Sequence, residues 1–239
     1  VVNLELIFAD LEIINRRLPK IEKKAQLKVE LDAEAEYQVL SKLKMVLESG
    51  KFARFANLTP KDLSILKPYN FLTMKPMIYV CNVDETEAFT ENIYIQEVKK
   101  YAEKEGTGVV VISAKIEEEV SALDVETRKM FLDELGIKES GLDKLTKKAY
   151  DLLGLATFFT AGEKEARAWT FKKGMKANEC AGIIHSDFER GFIRAEIITY
   201  DDFIFYQGMQ KAREAGKMRS EGKDYLFKDG DIALFRFNV

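Results

Sequence analysis

Two short stretches place polar groups where an apolar run ends, and both have the make-up to hold a ligand. In "MIYVCNVDETE", residues 77–87, the apolar run stops at Asn82, with Val83 next and a carboxylate, Glu85, three residues on. In "GVVVISAKIE", residues 108–117, a second run stops at Ser113, Ala114 and Lys115. An apolar run that ends at an amide, with a carboxylate three residues on, looks like the place where a nucleotide-binding sheet meets the base of its ligand. Open α/β sheets bind ligands beyond the carboxyl ends of their strands. Two neighbouring runs that end this way put these residues there. Alone, Asn-x-x-Glu is a weak signal, because strand-to-loop junctions carry Asn and an acid by chance. The second loop, one strand later, adds the weight.

A nucleotide also needs its phosphates held. The spacing G-x-x-x-x-G-K-[ST] after a strand does this with backbone N–H groups and a lysine. The nearest approach is "GIKESG", residues 136–141, but Leu142 and Asp143 follow it, and it joins two expected helices. "AGKMR", around Gly216, has Gly-Lys without a glycine five residues earlier. Neither is a phosphate loop. A single histidine excludes a Cys/His zinc cluster. That histidine, His185 in "HSDF", cannot form a Ser–His–Asp relay with sequence neighbours on one helix. A helix-face or interdomain hydrogen bond is expected for it. Cys81 and Cys180 are far apart in apolar surroundings and read as reduced, buried thiols. Met74, Met77 and Met175 read as core.

The net charge of -3 argues against wholesale coating by nucleic acid. Two local clusters are basic all the same. Arg16, Arg17, Lys20, Lys23, Lys24 and Lys28 enclose one acid; Lys211, Arg213, Lys217, Arg219 and Lys223 enclose two. A solvated charged face is the ordinary explanation. Contact with RNA phosphates is the rival, since it asks for positive charge more than for geometry. A hydrophobic share of 46% with 32% charged residues fits a globular chain. No apolar run approaches the roughly 18 residues of a membrane span, so no membrane partner is expected. "VVNLELIFAD" has neither a basic start nor a cleavage site, and a cytoplasmic location is expected.

The elements that must carry these residues can be traced. Leu4, Ile7, Leu11, Ile14, Leu18, Ile21 and Ala25 alternate spacings of three and four, the seam of a coiled coil. With Leu40, Leu43 and Leu47 on a second arm, they predict a helical hairpin with its tip at 28–32. Asn3 and Asp32 are expected as caps, Gly50 as a stop, and Pro19 as the cause of a kink near Asn15. "LTPKDL" is a helix start with Thr59 as cap and Asp62 three residues on. The runs at 77–83 and 108–114 are apolar without alternation and predict strands of a parallel sheet. Helices are expected at 92–105, after Asp124 up to Gly136, and over "GLDKLTKKAYDLLG", with Leu142, Leu145, Ala149 and Leu152 or Leu153 inward. Two strands are few for an open parallel sheet. After Gly154 the chain turns to short aromatic, β-branched strands: "ATFFTAG", "ARAWTF", "FIRAEIITY", "DYLF" and "IALFRF". A helix over 178–189 is expected among them, with Cys180, Ile184 and Phe188 on one face, and "KDGD" is expected as a tight turn between the last two strands. The fold class is α/β plus α+β, the last part a β-grasp.

P-loop GTPases end their base-reading strand in N-K-x-D, where the aspartate takes two hydrogen bonds from guanine; here Val83 and Glu85 replace the lysine and the aspartate. With "HSDFERGFIRAEIITYDDF" and "AGKMRSEGKDYLFKDGDIALFRFNV", this pattern resembles the Obg-like ATPase family, also called the YchF group, over essentially all 239 residues. The resemblance implies three parts: a helical coiled-coil hairpin insertion over 1–68, the C-terminal part of a P-loop nucleotide-binding domain over 69–154, and a β-grasp TGS domain over 155–239. It implies ATP preferred over GTP, with Asn82, Val83, Glu85, Ser113, Ala114 and Lys115 at the base. It also implies Mg2+ with ligands outside this chain, and a ribosome or RNA partner in translation or stress regulation. Relatives carry the phosphate loop before the helical insertion, so the chain is expected to be the C-terminal two-thirds of a family member and inactive by itself. A non-catalytic RNA- or ribosome-binding module and a coiled-coil interaction scaffold are the alternatives.

Overall fold

A computed structural model describes residues 1–27, 32–85, 92–162 and 165–238. The chain divides into two compact units, Val1–Met77 and Ile78–Val239.

The body of the first unit is a pair of packed helices, α1 (Val2–Gln26) and α2 (Ala33–Glu48). Ile7, Ile14 and Ile21, seven residues apart, are buried against Val39, Leu40, Leu43 and Leu47. Leu11, Leu18 and Ala25 are half-buried and Leu4 is exposed, so only the central line of the expected seam is fully dry. α1 continues through Pro19. Asn3 is not its cap: the helix begins at Val2, which leaves Asn3 inside the first turn and Val1 at the cap position. Asp32 stands at the start of α2 but makes no side-chain capping bond. Gly50 ends that helix in the left-handed region, at φ +78. Of the expected tip, residues 28–31 lie outside the described residues. α3 (Pro60–Leu66) starts as its sequence demands. Thr59 Oγ1 accepts from Asp62 N–H at 3.2 Å, and Asp62 Oδ2 accepts from Thr59 N–H at 2.9 Å.

This unit contains a wholly buried carboxylate, Asp10. It accepts from Leu72 N–H at 2.9 Å, Thr73 N–H at 2.8 Å and Thr73 Oγ1 at 2.6 Å. These bonds fasten a 3-10 turn, Leu72–Met74, to α1, and the first unit therefore runs past residue 68 to Met77. A second polar cluster joins Arg17 Nε and Nη2 to Glu36 at 2.7 and 3.0 Å, with the Tyr69 hydroxyl donating to the same carboxylate. Burial by itself would raise the Glu36 carboxyl, but the bonds from Arg17 and Tyr69 outweigh it and hold it low. Burial, together with Glu36, pushes the Tyr69 phenol up to about 12.

The second unit opens with β1 (Ile78–Asn82) and β2 (Gly108–Ile112), which pair in parallel as a two-stranded sheet. Between them runs α4 (Ile93–Lys104), capped by Asn92 and stopped at Gly106, φ +63. Next come α5 (Ala114–Ser121), α6 (Val125–Glu134, capped by Asp124) and α7 (Gly141–Leu152). The inward face expected for α7 needs correction. Leu145 and Ala149 are half-buried, but Leu142, Leu152 and Leu153 are exposed. α7 lies against β2 and the strand after it, which covers only a narrow line of the helix.

The remainder comprises β3 (Leu155–Ala161), β4 (Ala166–Lys172), α8 (Ala177–Ile184), α9 (Ser186–Arg190), β5 (Phe192–Thr199), α10 (Tyr200–Phe205), α11 (Met209–Glu214), β6 (Arg219–Glu221) and β7 (Asp231–Phe237). The five strands lie in the order β4-β3-β7-β5-β6, antiparallel except where β3 meets β7. Phe158, Phe171, Phe227 and Phe235 pack under Ala177, Cys180 and Ala181 of α8. Burial pushes the Cys180 thiol up to about 12. Two expectations fail here. The helix over 178–189 is two helices, because His185 adopts an extended backbone; its Nδ1 then accepts from Asp187 N–H at 3.2 Å and starts α9. "DYLF" makes one isolated bridge rather than a strand. Its Tyr225 hydroxyl donates to Asp231 Oδ2 at 2.9 Å and its Phe227 fills the core, while two backbone bonds, Ala177 N–H to the Tyr225 carbonyl at 2.8 Å and Phe227 N–H to the Met175 carbonyl at 3.1 Å, hold it beside Lys176. The turn at 228–231 is present, with Gly230 at φ +80, and it leads into β7 from that irregular segment.

Candidate nucleotide-base site

β1 and β2 are in register to their last residues, Asn82 opposite Ile112, so the two loops leave the sheet together. Val83 N–H extends the ladder by donating to the Ile112 carbonyl at 2.9 Å. Asn82 Oδ1 accepts from Ala114 N–H at 3.0 Å, which ties the first loop to the start of α5. With its carbonyl engaged there, the exposed Asn82 amide has its NH2 left as the donor for a ligand. Lys115 Nζ pairs with Glu85 Oε1, joining the loops a second time. The hydrogen bond and charge of Glu85 hold the Lys115 ammonium above its usual range. The loop of Glu85 is further shaped by its N–H donating to Asp84 Oδ1 at 2.8 Å. Ser113 differs from the others. It is buried, and its hydroxyl has no partner among the described residues. It lines the cleft that opens at this end of the sheet.

Two residues that the sequence reading passed over support this end of the sheet. Glu117 Oε1 accepts from Gly141 N–H at 2.6 Å. A Cβ on Gly141 would come within 2.7 Å of Ile112 Cγ2, so a glycine lets α7 begin against the end of β2. A cleft of about 410 Å³ opens there, lined among others by Ser113, Ile116, Glu117, Lys138 and Lys144. The signal in the sequence was slight: an acid in the first turn of a helix and a glycine in a segment that fails as a phosphate loop.

The basic candidates divide. Arg17 is committed to Glu36, Arg213 donates to Glu196, and Arg219 pairs with Glu221 and lies over the Tyr225 ring. Lys211 donates to Gln207, and Lys217 stands 3.8 Å from Asp202. Arg16, Lys20, Lys23 and Lys223 are exposed, Lys24 is half-buried, and Lys28 lies outside the described residues. Among the described residues, no group of three or more His, Cys, Asp and Glu is placed to hold a metal ion. Also among them, no helix is long and apolar enough to cross a membrane.

A family model, YchF-GTPase_C, described as a protein of unknown function (DUF933), matches residues 155–238. The ribosome-binding ATPase YchF of Bacillus subtilis (strain 168) is 53% identical over 240 residues, which cover 100% of this chain and 65% of that protein. The chain belongs to the YchF/Obg-like family. The YchF of Pasteurella multocida (strain Pm70), also named a ribosome-binding ATPase, is 47% identical over 238 residues, with 65% of its length covered. The chain thus spans about 65% of the length of these YchF relatives. The structure of the Schizosaccharomyces pombe YchF GTPase superposes with a TM-score of 0.82 at 30% identity, over 98% of this chain and 64% of that one. A GTP binding protein from Pyrococcus horikoshii OT3 shares the fold, with a TM-score of 0.58 at 18% identity, over 99% and 70% of the two chains.

Proposed function

We propose that this chain supplies the base-reading part of an ATP-dependent, ribosome-associated protein of the cytoplasm. The observation that carries the reading is the Asn82–Ala114 bond, which holds two loops together at the carboxyl ends of parallel strands. Asn82 Nδ2 then donates to a purine ring nitrogen, a contact adenine and guanine share. Discrimination falls to Glu85 and Lys115. Adenine's pairing edge carries a donor beside an acceptor, and a carboxylate paired with an ammonium offers the complement. Guanine presents two adjacent donors, and a carboxylate already engaged by Lys115 serves them poorly. Val83 adds an apolar contact, and the ribosome-binding ATPase names of the relatives support both ligand and partner.

The proposal assigns base recognition to this chain, not hydrolysis. Phosphoryl transfer depends on a phosphate cradle and Mg2+, and no stretch of the sequence has the cradle's spacing. We assign the helix pair to the family's coiled-coil hairpin (1–68), with residues 69–77 packed in the same unit, the two-stranded segment that follows to the nucleotide-binding domain (expected over 69–154) and the five-stranded sheet to a TGS domain (155–239). The parallel β3–β7 pair at the centre of that sheet supports the β-grasp assignment.

The test is calorimetric affinity for ATP and GTP in the full-length protein. Val83→Lys with Glu85→Asp is expected to move the ATP/GTP ratio roughly 10-fold or more toward GTP, the scale of one buried hydrogen bond gained or removed. Val83→Lys alone is expected to do less. A ratio that does not move in the double variant refutes the reading.

A further inference from the structure

The edges of the five-stranded sheet differ. β6 closes one side with three residues, Arg219–Glu221. An edge strand that short offers little to pair with. β4 closes the other side with seven, Ala166–Lys172. It contains no proline, and its pairing with β3 runs without a register shift. That pairing fixes which backbone groups look outward. Gly162 N–H donates to the Glu165 carbonyl and Lys173 N–H to the Gly154 carbonyl, so the odd-numbered residues of this strand exchange bonds with β3. Lys172 shows the other half of the pattern. Its carbonyl accepts from Met175 N–H at 3.1 Å, and its own N–H donates to Met175 Sδ at 3.4 Å. Ala166, Ala168 and Thr170 share this outward phase. Among the described residues, nothing bonds to their backbone N–H and C=O groups.

The side chains leave room for another strand. Phe171 is buried under α8, and Trp169 is half-buried beside it. Arg167 follows on the same face, its guanidinium 4.3 Å from the centre of the Trp169 ring. The opposite face carries Ala166, Ala168 and Thr170, all exposed and small. Such an edge accepts an extended peptide, whose main chain completes the ladder and whose alternate side chains give the choice. A polynucleotide backbone lacks the alternating amide donors and acceptors that this ladder requires. The charges select the kind of peptide. β4 holds two cations, Arg167 and Lys172, and no acid. Neither has a carboxylate partner among the described residues. Pairing of two copies would line up both sets of cations with no acid on either strand, which disfavours a second molecule here.

We propose that the β4 edge takes up an extended acidic segment of a partner protein as an added strand. The segment's acids face Arg167, with Lys172 adding to the attraction at the strand's end, and its β-branched residues lie over Ala166 and Ala168. The proposal stands apart from base reading and from ribosome association. The test uses the 239-residue chain and a peptide of about nine residues that alternates glutamate with valine, within the usual length of a strand. A matched peptide has lysine in place of glutamate. Amide hydrogen exchange, read by NMR, reports each residue. In the free chain the amides of Ala166, Ala168 and Thr170 are expected to exchange fast, and those of Arg167 and Trp169 slowly. The glutamate peptide is expected to slow the first set roughly 10-fold when its free concentration is about ten times its dissociation constant. The lysine peptide is expected to bind roughly 5-fold more weakly or worse. Ala168→Pro removes an outward N–H, a loss that an edge strand tolerates, and is expected to weaken binding roughly 10-fold. Arg167→Glu with Lys172→Glu keeps the backbone edge and is expected to reverse the preference to the lysine peptide. It decides the matter should the proline variant fail to fold. No slowing at Ala168 and Thr170 with millimolar glutamate peptide overturns the proposal. Equal binding of the two peptides, or a preference that survives charge reversal, does the same. Slowing that appears without peptide as the chain is concentrated assigns the edge to a second copy. Slowing already present in the full-length protein assigns it to a segment of its own chain. Either result overturns the proposal.

Discussion

Two carboxylates are taken out of water in different ways. Asp10, in the first unit, is met by two backbone N–H groups and a hydroxyl, all neutral donors, and the surroundings close over it. Glu196, in the second, is met by three charged side chains, Arg194, Arg213 and Arg236, that are themselves half in solvent. The first arrangement fixes chain to chain and leaves nothing to offer outward. The second satisfies one charge and leaves two more at the surface. A buried acid held by backbone pins one segment to another; one held by arginines of β5, α11 and β7 gathers three elements.

The contrast is sharpest in stability. Asp10→Ala leaves the Thr73 amide and hydroxyl buried without their acceptor, and bonds to charged groups contribute about 1.5–3 kcal/mol each. A loss of about 3 kcal/mol or more is expected from two such bonds, read as a fall in the denaturation midpoint, with Asp10→Asn intermediate. A change as small as that of a surface residue would show that the turn at Leu72–Met74 does not depend on α1. Within the second unit, a backbone contact should outweigh the arginine ring. A Cβ on Gly191 would lie 1.9 Å from the Asn238 carbonyl oxygen, in a pairing where Asn238 N–H donates to the Gly191 carbonyl at 2.9 Å. Gly191→Ala is expected to cost about 1–3 kcal/mol, the range for overpacking. Chemical denaturation checks it, and a neutral result would mean that the last strand shifts freely.

Glu196 should give the smallest of the three effects. The Arg236 hydrogen bond, then those of Arg194, outweigh burial and hold its carboxyl below the usual range. A carboxyl lowered on folding contributes stability above its unfolded value, near about 4.3, and loses it as pH falls through the lower folded value. Solvent screening of the half-exposed arginines keeps this to about 1 kcal/mol. Glu196→Gln is therefore expected to lower the melting temperature slightly at about pH 7 and to flatten its fall below about pH 4. An identical acid profile in the variant would remove Glu196 from the account.

The local signals were legible. Thr59, Pro60 and Asp62 foretold a capping box, and Ile7, Ile14 and Ile21 foretold a dry line. Two apolar runs foretold parallel strands with Asn82 and Ser113 at their ends. What was not legible joins residues far apart. Asp10 and Thr73 are 63 positions apart. Of the Glu196 ring, only Arg213 stood out, because it lies in a run of basic residues, while Arg194 and Arg236 sit singly in strands. "DYLF" has the composition of a strand, but its tyrosine and phenylalanine are claimed by Asp231 and the core. Pattern reports what a segment prefers; it does not report which distant group reaches it first.

Under the proposed function, Asn82 bears on the thermodynamics of recognition. Its carbonyl already accepts from Ala114 N–H, so the amide cannot flip and its rotamer is set before any base arrives. The ordering of that side chain belongs to folding, not to binding. A purine that meets the fixed NH2 gives up little side-chain entropy there, and its association at this point should be driven by enthalpy with a small entropic penalty. Asn82→Ser, too short to span the two loops, would transfer that penalty to each binding event and slow the encounter of a base with a formed site.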